Sequence, residues 1–558
     1  MKKLPYGISD YERLQESDYY YVDKTEYIEK LENLPEPYIM FLRPRKFGKT
    51  LFTSMLASYY DKRKKEKFKN LFSETYIGKN PTELRNSYSI LKFNFSGIDT
   101  TDAESTIKGF KNEVASSVNL FVKAYGLDFF VNYEDEAENI LDNLFKAFEI
   151  QRENEKIYVI IDEYDHFANE LLGFNTNQFK NLVSKNGKVR KWYEILKKGT
   201  ESVVDRIFVT GVAPITLDSL TSGFNISSDK TMDSNLNEMM GFTKNEVVEM
   251  LESQEISKEN QGKILPIMKE NYDGYMFSLY GREKMYNSNM CLYFLKEYIE
   301  YSRIPMQLID MNIASDYTKL GKMLDLCKSD EREKVIEKTV TGEGIISDIT
   351  GKFNPAIDFS EKDLVSMLFY LGYLTIEGEK VGYPRLNIPN RVMKEIYSDY
   401  FLKILKDEIV VDINENYSEM AAEIALDGKI DKIVSTLKGY LENLSNRDYI
   451  KFDEKYVKLI FYCIAMNLKI FRLKSEMEAG RRYPDILLIP RNKEKDYKSI
   501  MIEFKYLKKE SSDKLREKEQ EAIKQLQEYS EIEEIREIEN LNKYAVIAVG
   551  CEIKIIQV

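Results

Sequence analysis

Two stretches of the chain carry residue types suited to phosphate chemistry. The first, Tyr38–Thr50, reads YIMFLRPRKFGKT and runs into LFTSMLASYY, an apolar strand pattern leading through Gly48-Lys49-Thr50 into a helix pattern. Holding a phosphate needs backbone N–H groups at a helix N-terminus, a glycine that lets them approach, a lysine for the outer phosphates and a hydroxyl for Mg2+. Gly48, Lys49 and Thr50 supply these types in this order, and Arg45 and Phe47 join them as nucleotide-contacting candidates. The second stretch lies near the far end, where Pro484-Asp485 is followed eighteen positions after Asp485 by Glu503-Phe504-Lys505. Glu503 and Lys505 are two apart on a strand pattern and so share a face. Asp485 reaches that face if the two strands pair as a hairpin. Two carboxylates and the carbonyl beside Glu503 would then hold Mg2+ for phosphodiester hydrolysis, with Lys505 orienting or deprotonating the water.

Each motif has supporting residues and an ordinary alternative. GKT alone is compatible with a plain strand–turn–helix, and the usual glycine five residues before Gly48 is replaced by Arg43. The loop reads as a degenerate Walker A with Arg43, Arg45 and Lys46 adding positive charge. Ile157–Asp165, IYVIIDEYD, tips the balance toward nucleotide binding: Asp162 at a strand end suits an Mg2+ shell and Glu163 suits polarising an attacking water. Asp165 reads as structural and His166 as a partly packed surface residue. Thr210, ending the strand pattern in IFVTGVAP, is a candidate γ-phosphate sensor, although such threonines more often serve as caps. For the second motif, Glu478 is a further metal-ligand candidate, while Arg481 and Arg482 are candidates for the nucleic-acid backbone. Gln525 and Tyr529, four apart on a charged helix pattern, share a face that could touch nucleic acid. Arg481, Arg482, Lys505, Lys508 and Lys509 offer a local basic patch.

The elements that must position these residues alternate in the first part. Tyr38–Leu42, Ile90–Phe95, Ile157–Ile161 and Ile207–Thr210 are strand patterns, with helix patterns at Ser105–Tyr125 and Glu134–Gln151 between them. That order points to a parallel sheet covered on both faces. Helical patterns prevail over Thr243–Tyr301, a winged-helix-like helix–strand–turn–strand order occupies Ser360–Pro389, and Phe401–Leu473 is helical again. The last part returns to strands at DILLIP and SIMIEFKYL, a charged helix over Ser511–Tyr529, and KYAVIAVG as the closing strand. The expected division is 1–240, 241–400 and 401–558.

The whole-chain numbers narrow the field. At 558 residues the chain exceeds one core, and about three or four domains are expected. A hydrophobic fraction of 43% excludes a wholly disordered chain. Lys plus Arg number 81 against 93 Asp plus Glu, so 81 − 93 = −12, which argues against polyanion binding through bulk charge but allows a local basic cleft. Four cysteines far apart support neither a zinc ribbon nor a disulfide framework, and the single histidine excludes multi-histidine sites. MKKLPYGISDYERL lacks an apolar stretch behind its lysines, and the longest apolar run is about half of the ~20 residues a span needs. A soluble cytoplasmic protein with no membrane partner is expected.

These motifs together resemble an AAA-ATPase-like domain followed by a PD-(D/E)XK nuclease-superfamily domain. YGISDYERL, YYYVDKTEYI, RPRKFGKT, IIDEYD, FVTGVAP, NYDGYMF and YNSNMCLYFL are similar to the ATPase family, and GRRYPDILL and IEFKY to the associated nuclease-like domain. The resemblance implies an α/β chain with an N-terminal P-loop NTPase sheet, a helical and winged-helix-like middle and a C-terminal α/β nuclease-like domain. It also implies ATP and Mg2+ as cofactors, ATP hydrolysis, and DNA as the nucleic-acid partner. Asp23 and Lys24 match a family motif and either line the nucleotide pocket or brace the loop. Two other readings stay open: a nucleotide-switched interaction protein whose nuclease-like domain only binds, and a metal nuclease whose ATPase part is a scaffold. Such ATPases often take an arginine from a neighbouring subunit, so a homo-oligomer is compatible with the chain.

Overall fold

A computed structural model of the chain describes residues 2–166, 187–214, 226–310, 320–321, 324, 329–351, 353, 359–407, 413, 415–444, 453–475, 483–492, 495–508 and 514–558. These residues form two compact units, one of residues 1–332 with 345–392 and one of 333–344 with 393–558.

The first unit is built on a five-stranded sheet. Its strands are β1 (Tyr38–Leu42), β2 (Ser89–Asn94), β3 (Ile157–Asp162), β4 (Val204–Gly211) and β5 (Ser228–Asp229), in the order β2-β3-β4-β1-β5. Every pairing is parallel. Parallel strands need crossover connections, and their covered faces explain why all six residues of β3 are buried. In register, Lys92, Ile160 and Phe208 form one row across the sheet and Phe93, Ile161 and Val209 the next, so the two rows face opposite sides. Phe52, from the helix Lys49–Tyr60, meets Phe208 on one face, while Trp192, from the helix Lys188–Gly199, packs edge-on against Phe93 on the other.

The expected helices of this unit are present. Ala103–Tyr125 is capped by Asp102, whose carboxylate accepts the Ser105 N–H at 2.7 Å, and ends at Gly126 with a left-handed φ of 62°. Ala137–Gln151 follows. The helical stretch expected over Thr243–Tyr301 is broken: helices Lys244–Ser253, Lys258–Tyr272 and Ser288–Tyr301 leave 273–287 as a non-helical segment that turns back on itself. That chain bridges Tyr275 to Met285 and Phe242 to Tyr286. Glu361–Tyr370 followed by the antiparallel strands β7 (Thr375–Lys380) and β8 (Tyr383–Asn387) gives the expected helix–strand–turn–strand order, and β6 (Ile345–Ile346) adds a third strand.

The second unit carries a mixed sheet of β9 (Phe471–Lys474), β10 (Ile486–Pro490), β11 (Ser499–Leu507), β12 (Leu541–Val549) and β13 (Glu552–Gln557), ordered β13-β12-β11-β10-β9. β10 and β11 pair antiparallel, whereas β11 and β12 are parallel and joined through the helix Leu515–Tyr529. Two expectations are corrected. KYAVIAVG does not close the sheet, because the chain turns at Gly550 and adds β13, and Leu473 lies in a strand rather than at the end of a helical region. Both missed strands, FRLK and EIKIIQ, do alternate apolar with polar residues, but over only four and six positions.

Candidate functional site

In the first unit the carboxyl ends of four adjacent strands, β2, β3, β4 and β1, lie side by side. Phe41 lies beside Thr210 in the β1–β4 ladder, and Asn94 beside Asp162 in the β2–β3 ladder. Gly48 precedes the helix Lys49–Tyr60 with a left-handed φ of 91°, and no side chain caps that helix. Its free N–H groups and partial positive charge are therefore available to an anion. The space above is a cavity of about 690 Å3, lined by Arg45, Lys49, Thr50, Asn94, Glu163 and Ser288 among others.

The charged groups around it are incompletely matched. The Lys49 ammonium is buried and donates to the carbonyls of Arg43 and Pro44, at 3.1 and 3.2 Å, with Glu163 at 3.8 Å. Both Asp162 carboxylate oxygens are buried without a hydrogen-bond partner. Burial and neighbouring Glu163 push the Asp162 carboxyl above the usual range, while Thr50, Lys92 and Lys49 pull the other way. A buried acceptor left unpaired costs about 1–3 kcal/mol, and more when charged. Glu163 adopts a left-handed φ of 52°, a strained conformation for a residue with a Cβ. Thr50, Asp162 and the cavity thus fit a Mg2+-bound polyphosphate: a hydroxyl, an unpaired carboxylate and oxygen donors throughout.

Several candidate residues are placed otherwise. Arg43 adds no charge to the cavity. It is buried between the rings of Phe41 and Phe277, with its guanidinium carbon 4.1 and 4.2 Å from their centroids. It donates to the carbonyls of Leu42, Thr231, Leu236 and Asn237, and burial lowers its pKa to about 9. The Phe47 side chain packs edge-on against Tyr275 and Phe277, which leaves its backbone for the cavity. The Thr210 hydroxyl donates to the Phe41 carbonyl at 2.8 Å, so its one proton is committed within the sheet. Asp165 accepts the N–H groups of Val212 and Ala213 and crowds Gly211, where a Cβ would come within 2.1 Å of its Oδ1. Asp23 accepts the Thr25 N–H and hydroxyl and the Tyr76 N–H, and so ties Thr25 to the start of the helix Tyr76–Lys79. Lys24 lines the cavity and pairs with Glu246 at 2.6 Å. Asn94 and Ser288 went unnoticed in sequence; Ser288 follows the helix cap Asn287, and its hydroxyl donates to the Lys46 carbonyl at 3.1 Å.

In the second unit the hairpin brings Asp485 beside Glu503, one step beyond the Ile486–Ile502 pair. Asp485 Oδ2 accepts the Phe504 N–H at 2.8 Å. Glu503 Oε1 pairs with the Lys505 ammonium at 2.9 Å, and its Oε2 is buried with no hydrogen-bond partner. Burial and the adjacent Asp485 push the Glu503 carboxyl up, to about 7, against the opposing pull of Lys505 and Lys458. Two carboxylates and an unfilled oxygen fit a Mg2+ ion that keeps several waters. Among the described residues no cluster of three or more His, Cys, Asp or Glu stands ready for a metal. Glu478, Arg481, Arg482 and Lys509 lie outside the described residues.

The basic patch is corrected at Lys505, which is buried and paired with Glu503 and, at 3.5 Å, with Glu521. Tyr529 is also corrected: it is only 9% exposed, and its ring belongs to an apolar cluster with Leu487, Met501 and Leu526 rather than to an open face. Gln525, one turn earlier, is half-buried, and its Oε1 finds no hydrogen-bond partner. Glu454 and Lys458, from the helix Glu454–Met466, join the site unannounced. Lys458 reaches Asp485 Oδ1 at 2.8 Å and Glu454 Oε1 at 2.9 Å. Their sequence signal was a charged pair, four apart, in the first turns of a helix that is apolar from Leu459 onward.

Residues 5–221 match the family described as "Predicted AAA-ATPase", and residues 452–558 match the PD-(D/E)XK nuclease superfamily. The chain is 24% identical over 426 residues to the "Uncharacterized protein in vnfD 5'region" of Azotobacter chroococcum mcd 1, covering 72% of this chain and 70% of that protein. A solved structure of the Aeropyrum pernix ORC2 protein in ADPNP–ADP complexes aligns at 12% identity with a TM-score of 0.32, covering 70% of this chain and 98% of that one. That likeness is too remote to carry an argument. Among the described residues no helix is long and apolar enough to cross a membrane. An AAA-ATPase-like domain implies nucleotide binding, and a nuclease-superfamily domain hints at nucleic acid. The chain thus joins an AAA-ATPase-like domain at residues 5–221 to a PD-(D/E)XK nuclease-superfamily domain at residues 452–558.

Proposed function

We propose that the protein binds and hydrolyses ATP and couples this to Mg2+-dependent cleavage of nucleic acid, DNA in the first instance. One observation carries the reading. Each unit holds a buried carboxylate with an oxygen that no protein group satisfies, beside a buried lysine in a motif suited to phosphate. Unfilled buried acceptors are costly, and a bound cation with its phosphate ligand is the natural complement.

In the first unit the helix N-terminus at Gly48 receives the phosphates and Lys49 leaves the Arg43 and Pro44 carbonyls for the outer one. Thr50 and Asp162 would hold Mg2+, which when bound neutralises phosphate charge. Glu163 orients the attacking water. Arg45 extends the positive lining of the cavity. In the second unit Asp485 and Glu503 would hold Mg2+, which when bound lowers the cost of charge on the scissile phosphate. Lys505, its ammonium fixed by Glu503, would position the water and screen the phosphate charge. Gln525 stands on the neighbouring helix, its amide oxygen buried without a hydrogen-bond partner.

The test is cleavage of a labelled DNA panel by the full chain with Mg2+ or Mn2+, with and without ATP, alongside Lys49→Ala and Lys505→Ala. Metal-dependent cleavage lost in Lys505→Ala and altered in Lys49→Ala is expected. A folded, ATP-hydrolysing protein that cuts nothing under any metal would overturn the nuclease half. The second reading, a nucleotide-switched interaction protein, draws on one observation: both Asp485 oxygens are already held, by Lys458 and the Phe504 N–H.

A further inference from the structure

The group that holds Asp485 is the feature the motifs do not explain. The helix Glu454–Met466 buries Val457 and every residue from Leu459 to Met466, yet Lys458 stands between two of them. Its side chain is 17% exposed and its ammonium sits 2.8 Å from Asp485 Oδ1 and 2.9 Å from Glu454 Oε1. Glu454 is itself fixed, since its other oxygen accepts the Tyr506 N–H at 3.4 Å. Around the hairpin end, Glu454, Asp485 and Glu503 therefore face Lys458 and Lys505, and Glu521 approaches Lys505 from the helix Leu515–Tyr529. Asp485 and Glu503 are buried side by side and repel one another unless a cation lies between them, whereas Glu454 and Glu521 are partly exposed.

The two lysines are not equivalent. Lys505 comes from the same strand as Glu503 and pairs with it at a spacing of two. Lys458 comes from a different element and takes the one Asp485 oxygen that the backbone does not hold. We propose that Lys458 is a built-in counter-cation that occupies Asp485 in place of the divalent metal, and that metal binding displaces it from Asp485 onto Glu454 alone. Lys458 then sets the metal affinity of the second unit: it stabilises the empty site and competes with the ion. This rests on the reading of that unit as a metal-dependent phosphodiesterase.

The experiment is Mn2+ titration of the full chain without nucleic acid, followed by calorimetry, in an Asp162→Asn background so that the first unit does not contribute. Thermal unfolding of the metal-free protein is read in parallel. Lys458→Met is expected to bind Mn2+ at least tenfold more tightly, to unfold at lower temperature without metal, and to gain more from Mn2+ than the parent. Lys458→Gln, which keeps a hydrogen bond to Asp485, should do the same to a smaller degree and serves if the methionine variant does not fold. Lys458→Arg should retain the parent affinity. Lys458→Met and Lys458→Gln binding Mn2+ no more tightly, while Glu503→Gln abolishes binding, would overturn the role of Lys458 and leave the metal site standing. Equal affinities for the parent and Glu503→Gln would instead overturn the metal-site reading, and this proposal with it.

Discussion

The two candidate sites meet the same electrostatic problem in opposite ways. In the first unit the lysine is parked on backbone carbonyls, and the acid it could have neutralised, Asp162, is left without a hydrogen-bond partner. In the second unit the lysines are parked on the acids themselves, Lys505 on Glu503 and Lys458 on Asp485. The first arrangement leaves both signs of charge underused in a cavity of about 690 Å3, ready for a ligand that carries both. The second is mostly self-neutralised, so a ligand must compete with internal ion pairs. Ligand binding is expected to stabilise the first site by filling it and the second only after an exchange of partners.

The largest expected effects separate the two sites. Lys49→Ala should lower ATP turnover on the order of 100-fold or more, and Lys505→Ala should lower cleavage on the order of 1,000-fold, since each removes a buried, positioned charge. ATPase and cleavage assays on both variants sharpen the comparison if Lys505→Ala leaves ATP turnover within about twofold, and break it if either variant abolishes both activities.

Arg43 gives the next test. Its methionine variant would leave the carbonyls of Leu42, Thr231, Leu236 and Asn237 without their donor, offset in part by removing a buried charge. A loss of about 2–4 kcal/mol on thermal or urea unfolding is expected, with a raised KM for ATP because the Arg43 carbonyl also seats Lys49.

A pH dependence distinguishes the second site. The Glu503 carboxyl is raised to about 7 by burial and Asp485, so below that value it holds a proton that a metal must displace. Mn2+ affinity should fall up to about tenfold per pH unit below 7 and level off above it. The same shift makes the metal-free protein lose stability as pH rises from the unfolded carboxyl's range through about 7, because the native state binds the extra proton there. Calorimetry across pH checks the first statement and unfolding across pH the second; Glu503→Gln should flatten both.

The smallest effect is expected at Tyr529. Tyr529→Phe keeps the ring within its apolar cluster and should change DNA affinity by less than about twofold and stability by about 1 kcal/mol or less. A large loss of DNA binding with unchanged stability would return this residue to the nucleic-acid surface.

Much of this architecture was legible in the chain because its strands are long apolar runs. β1 and β3 were read to within a residue of their ends, since a strand buried on both faces admits almost no polar side chain. The hairpin of β10 and β11 was legible as a condition for Asp485 to meet Glu503, and the register meets it. Rotation and partner choice were not legible. Nothing in RPRKFGKT says that Arg43 turns inward between two phenylalanines while Lys49 turns toward the loop carbonyls, because Phe277 lies more than two hundred residues away. Tyr529 failed for a related reason: helical spacing shows that it shares a face with Gln525 but not that this face covers Met501 and Leu487.

The amino-acid sequence by itself determined the order of elements, the glycine and lysine of the phosphate loop, and which acids end which strands, because these follow from periodicity and local backbone chemistry. Tertiary structure alone decided which charges meet. Lys458 reaches Asp485, and Asp162 is left unpaired, through the packing of separate helices and strands. Coulomb energies between buried groups depend on distances of a few ångströms that no local pattern encodes.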